Sequence, residues 1–92
     1  MRKQVHVFYS GRVQGVGFRM TAEEAATRLD IVGWVKNLRD GRVELLGEGE
    51  EKTLIRFLKE IRVGPMRNFI HHVEVTWGSS TDGHQEFEIR YF

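Results

Sequence analysis

The period at which apolar residues recur switches between two and about three and a half along this chain, and the order of the switches leaves very few folds open. Val5, Val7 and Tyr9 alternate with Gln4, His6 and Phe8, as in a strand whose two faces meet different surroundings. Phe18, Ala22, Ala25, Ala26 and Leu29 then recur at helical spacing, with Glu23, Glu24, Thr27 and Arg28 around the stripe. Thr21 and Glu24 also fit a capping box that would start this helix later, but the stripe already contains Phe18, so the start is expected there. Val32 to Leu38 and Arg42 to Gly47 flank Arg39-Asp40-Gly41, whose Asp-Gly pair signals a hairpin between two antiparallel strands. A second helical stripe, Leu54, Phe57, Leu58 and Ile61, is acidic at its start through Glu50 and Glu51 and basic at its end through Lys59 and Arg62. Gly64 and Pro65 stop it. Val73, Val75 and Trp77, then Phe87, Ile89 and Tyr91, give two more alternating runs.

The resulting order is β-α-β-β-α-β with an extra C-terminal strand. Two helices with narrow apolar stripes cover one face of such a sheet, so an α+β, ferredoxin-like two-layer sandwich with a mostly antiparallel sheet is expected. The alanines of the first helix allow close approach to the sheet, and Trp34, Phe57 and Phe87 are expected to be large core fillers. Ninety-two residues with one proline and no low-complexity stretch read as a single domain over 1–92 without internal repeats.

The segment Gly11-Arg-Val-Gln-Gly-Val-Gly-Phe-Arg19 joins the first strand to the first helix. Gly11, Gly15 and Gly17 give that turn backbone angles closed to other residues and leave its amides uncovered. The helix behind it aims unpaired N–H groups and the positive end of its dipole at the same place, where a phosphate is favoured. Arg19 adds a forked, permanent positive charge; at a helix start it is unfavourable unless an anion sits in the loop. No Gly-Lys-Ser/Thr follows, which excludes the nucleoside triphosphate loop, and Met20 stands where the dinucleotide fingerprint needs a small residue.

Composition removes other chemistries. With no cysteine there are no disulfides, thiolate nucleophiles or iron–sulfur ligands. The fourteen Lys and Arg nearly balance thirteen Asp and Glu, so nucleic acid and anionic membrane are not expected as partners, and a monomer is. Neither a secretory signal nor an apolar span is visible in the sequence, which makes a cytoplasmic location the expectation. His71 and His72 would point to opposite faces of a strand and do not suit one metal ion, while His6 and His84 are isolated, so no metal site is expected. Ser79, Ser80 and Asp82 lack a strained nucleophile motif, and Ser79-Ser80-Thr81-Asp82-Gly83 reads as a polar turn. Glu48, Glu50 and Glu51 read as a solvated acidic edge opening the second helix.

Taken together, Gly11 to Arg19, Gly33-Trp-Val-Lys-Asn37, Asp40-Gly41 and Gly64-Pro65 resemble the acylphosphatase family in order and spacing over nearly the whole chain. The resemblance implies hydrolysis of the carboxyl–phosphate anhydride of a small-molecule acyl phosphate, with no cofactor. It further implies that Arg19 binds phosphate, that Asn37 positions water, and that Gln14, Gly15, Val16, Gly17 and Phe18 contact the substrate. Met20, Leu38 and the run Met66-Arg67-Asn68-Phe69 depart from the more familiar pattern and bear on loop contacts and substrate preference. Such chemistry explains why no acid–base pair is evident: the leaving carboxylate is a weak base near pH 7 and needs no general acid. The alternatives are a non-catalytic anion-binding module of the same fold and an RNA-binding module. The first is set against by the presence of both Arg19 and Asn37; the second by the place of Gly17-Phe18 in a turn rather than on a strand.

Overall fold

The structure is a computed structural model and describes residues 1–91. Its elements are β1 (Arg2–Gly11), α1 (Phe18–Arg28), β2 (Val32–Asn37), β3 (Val43–Glu50), α2 (Glu51–Val63), β4 (Ile70–Ser79) and β5 (Phe87–Arg90). The strands form one sheet in the order β4-β1-β3-β2-β5. All neighbours are antiparallel except β2 and β5, which run parallel with Gly33 opposite Phe87 and Lys36 opposite Arg90. This is the ferredoxin-like arrangement read from the sequence.

The two faces of β1 separate as its alternation requires. Val5, Val7 and Tyr9 are buried, and directly opposite on β3 lie Gly47, Leu45 and Val43. These pack with Phe18, Ala22, Ala25 and Ala26 of α1 and with Leu54, Phe57 and Ile61 of α2 in one hydrophobic core. At about 25 cal/mol per Å² of apolar surface removed from water, such side chains supply most of the drive to fold. Helix α1 starts at Phe18, so the core stripe and not the Thr21-Glu24 capping box sets its beginning; Leu29 is its C-cap.

Trp34 corrects an expectation. It lies half-buried on the opposite face of the sheet, where its indole is covered by Lys36 (5.2 Å to the ring centroid) and Arg90 (5.1 Å), while Arg42 covers Phe8 on the same face at 4.7 Å. The core side of β2 is instead filled by Val35. Position 34 falls on the non-helix side by the period-two rule, which outweighs the size of the side chain. Exposed-face aromatics are therefore present on strands, but each is capped by one of the protein's own cations. Those cations are paired in turn with Glu44, Glu88 and Asp40.

The acidic edge expected at Glu48 is a second correction. Strand β3 runs three residues beyond Gly47, and Glu48 is 0 % exposed. Its carboxylate accepts from Gln4 Nε2 (2.7 Å), the Ser80 hydroxyl (3.0 Å), the Thr81 amide (2.9 Å) and hydroxyl (3.0 Å), and the Asp82 amide (3.1 Å). The stretch that reads as a polar turn is thus a clasp around a buried charge. Burial is the largest single influence on Glu48 and would raise its pKa, but the hydrogen bonds from Thr81, Gln4 and Ser80 together outweigh it and hold the carboxyl at about 2.

Candidate active site

Strand β1 is antiparallel to β3, and β3 to β2, so β1 and β2 point the same way, as does β5 through its parallel pairing with β2. The C-terminal ends of all three therefore open on one edge of the sheet. There the β1–α1 loop, Asn37 at the end of β2 and Tyr91 just after β5 enclose a cavity of about 180 Å³.

The loop is shaped by Gly15 (φ 77°) and Gly17 (φ 82°), both in the left-handed region that favours glycine. A Cβ at either position would meet nothing within 4 Å, so it is backbone conformation and not space that calls for glycine. Gly17 is also the N-cap of α1, which has no side-chain cap and no acidic residue in its first turn. Helices normally satisfy their first amides with a cap. Here, among the described residues, the amides of Gly15 to Arg19 have no protein acceptor; the first amide of this run to find one is Thr21, which donates to the Gly17 carbonyl at 3.0 Å. The loop is anchored at both ends: the Arg12 amide donates to the Phe69 carbonyl at 2.9 Å, and Gln14 Nε2 donates to the carbonyls of Leu38 (2.7 Å) and Arg42 (2.9 Å).

Arg19 lines the cavity and, among the described residues, belongs to no ion pair. Its guanidinium carbon stands 4.9 Å from the centroid of the Tyr91 ring, a cation–π contact that restricts a long side chain without neutralising it. Asn37 also lines the cavity, and its Oδ1 is buried without a hydrogen-bond partner among the described residues. Buried polar atoms are rarely left so, and exceptions gather where a ligand or water is to be held.

Of the residues singled out in the sequence, Gly15, Gly17, Phe18, Arg19 and Asn37 come together around this cavity. The Gln14 side chain is engaged with the β2–β3 hairpin, and Val16 packs partly buried against the core, so either would meet a ligand through its backbone. Sequence reasoning missed Val13, Ile89 and Tyr91 as cavity residues. Tyr91 reads as the last residue of an alternating strand, and only the parallel β2–β5 register brings it beside Arg19. Among the described residues no three His, Asp or Glu side chains are grouped to hold a metal ion, and no helix is long and apolar enough to cross a membrane.

The acylphosphatase family profile matches residues 5–89. An acylphosphatase of Bacillus subtilis (strain 168) is 41 % identical over 88 residues, which cover 96 % of this chain and 97 % of that protein. A crystal structure of acylphosphatase from Bacillus subtilis superposes with a TM-score of 0.90 at 40 % identity, covering 97 % of this chain and 99 % of that one. A structure of an acylphosphatase from Coxiella burnetii gives 0.86 at 32 % identity, with 97 % and 93 % covered.

Proposed function

The chain belongs to the acylphosphatase family and hydrolyses acyl phosphates, and from that premise we propose how its own residues divide the work: the amides of Gly15 to Phe18 together with Arg19 hold the phosphoryl group, and Asn37 positions the attacking water. The observation that carries this reading is the buried Oδ1 of Asn37, partnerless among the described residues, on the same cavity as a run of uncapped amides. A carbonyl oxygen accepts from water and turns a lone pair toward phosphorus; amides and a guanidinium donate to phosphoryl oxygens.

In the reaction the water oxygen forms a bond to phosphorus as the bond from phosphorus to the acyl oxygen breaks. The acyl oxygen leaves with the electron pair as a carboxylate, and inorganic phosphate remains. Because the carboxylate is stable at neutral pH, no residue has to protonate it. The proton lost by water passes to a phosphoryl oxygen, so the protein's part is positioning and charge stabilisation. Tyr91 keeps the Arg19 fork facing the loop. Gln14 ties the loop to the hairpin that follows Asn37 through the carbonyls of Leu38 and Arg42. The same reading has residues 1–92 acting as one cytoplasmic, monomeric domain without a cofactor.

The test is steady-state hydrolysis of an aromatic acyl phosphate, with a stable phosphate monoester as the comparison substrate and inorganic phosphate as inhibitor. The monoester is left intact, since its alkoxide leaving group is a far stronger base than a carboxylate. Asn37→Ala lowers kcat by about two orders of magnitude through loss of water orientation while phosphate inhibition changes only a few-fold. A folded Asn37→Ala protein whose phosphate affinity falls in proportion to its rate makes Asn37 a phosphate ligand instead.

A further inference from the structure

A second concavity lies away from the catalytic edge. Strand β4 is an outer strand, and its register with β1 sets Val75 opposite Val7 and Trp77 opposite Val5, so both share the helix-side face with those core residues. Yet Val75 is 40 % and Trp77 43 % exposed. Between them and Ile55 and Leu58 of α2 runs an apolar groove of about 270 Å³.

Tyr9, which also lines the groove, sets it apart from an ordinary seam. Its side chain is 1 % exposed, with the ring packed against Phe18 at 4.8 Å between centroids, but its hydroxyl has no hydrogen-bond partner among the described residues. Burial pushes the phenol well above its ordinary pKa, which keeps it an O–H donor, and Arg62, whose positive charge acts on it in the opposite sense, lines the same groove. Among the described residues Arg62 and Lys59 are the charged groups on the groove, and no acidic residue lines it.

An apolar trough with a neutral donor and two cations suits one ligand chemistry. We propose that this groove binds a small apolar monocarboxylate. Its carboxylate accepts a hydrogen bond from the Tyr9 hydroxyl and pairs with Arg62, and its hydrocarbon body lies on Val75 and Trp77. An alcohol of equal length satisfies the hydroxyl but not the cations; an amine is repelled by them. The proposal stands apart from the hydrolytic site, which is lined by other residues.

The experiment titrates octanoate, below its micelle concentration, into the protein carrying Trp34→Phe, so that Trp77 is the remaining indole and reports on the groove. Saturable quenching is expected, with octan-1-ol at least about tenfold weaker. Arg62→Met and Tyr9→Phe should each weaken octanoate about tenfold. Tyr9→Phe removes a hydroxyl that bonds nothing, so its thermal midpoint should not fall. Saturating inorganic phosphate should leave octanoate affinity unchanged. The proposal is overturned by absence of saturation, by equal binding of octan-1-ol, by undiminished affinity in both variants, or by competition from phosphate. A dimer in sedimentation that Trp77→Lys dissociates, with no octanoate binding, overturns it in favour of a second copy of the chain as the occupant.

Discussion

Two loops of this molecule gather donors around the place of an anion, and they do it for opposite ends. The clasp after β4 closes on Glu48 with two backbone amides and two hydroxyls, joined by Gln4 of β1, and Asp82 takes a left-handed φ of 54° within it. The loop after β1 uses left-handed Gly15 and Gly17 and an uncapped helix start, and its amides have no acceptor among the described residues. In the clasp the anion is part of the chain, so its hydrogen bonds are made on folding and contribute stability. In the glycine loop, on the proposed reading, they are kept for the substrate, so the same physics would contribute to binding and rate. The comparison separates residues whose loss should appear in a melting curve from those whose loss should appear in turnover.

The largest expected effect belongs to the glycine loop. Arg19→Ala should lower kcat/KM by two orders of magnitude or more, as for loss of a preorganised charge donor, and weaken phosphate inhibition, while the thermal midpoint stays near wild type. Arg19→Lys should recover little, because an ammonium lacks the planar fork. A folded Arg19→Ala protein with ordinary phosphate inhibition would remove Arg19 from the site.

Next comes the clasp, with the signs reversed. A carboxyl lowered from 4.5 to about 2 on folding corresponds to about 3 kcal/mol at ~1.36 kcal/mol per pH unit. Because the folded-state pKa is the lower one, this stability is present above about pH 4.5 and is lost as pH falls toward 2. Glu48→Gln should therefore cost roughly 2–3 kcal/mol at pH 7 by chemical denaturation, since one oxygen becomes a donor facing donors. It should also flatten the pH dependence of stability between 4.5 and 2. Turnover of the folded fraction should match wild type; a tenfold loss would mean that the two loops are coupled.

Gly17→Ala tests the loop's backbone. With open space around a Cβ, the cost is that of the left-handed conformation alone, about 1–2 kcal/mol. The substitution should also reduce phosphate affinity as the amides turn away, whereas a conformational cost without a change in affinity would detach the loop's shape from anion binding. The smallest effect concerns metals: exhaustive dialysis against a chelator should leave both the rate and the melting curve unchanged. Activity that falls and returns on adding a divalent ion would mean that amides and Arg19 are not the charge carriers.

The strands and helices were legible because the apolar period reports directly which face is buried, as the alternation of Val5, Val7 and Tyr9 and the stripe from Phe18 do. Trp34 was misread because size and hydrophobicity say that an indole prefers cover without saying which cover, and Lys36 and Arg90 supply it on the open face. Glu48 was misread because acids near a helix start are usually solvated, and its donors lie more than thirty residues away in sequence.

By itself the sequence determined the element order, the two-layer plan and the glycine-arginine loop, since these depend on local backbone preference and on periods counted over a few residues. Only the tertiary structure decided that Asn37 and Tyr91 meet that loop, because Asn37 reaches it through the β1-β3-β2 order and Tyr91 through the parallel pairing of β2 with β5, long-range registers that local pattern does not encode. The tertiary structure likewise decided which donor-rich loop holds the protein's own carboxylate and which keeps its amides without an acceptor among the described residues. A donor in a sequence carries no mark of its acceptor; the partner is chosen when distant segments pack, and hydrogen bonds and charge then follow distance rather than position in the chain.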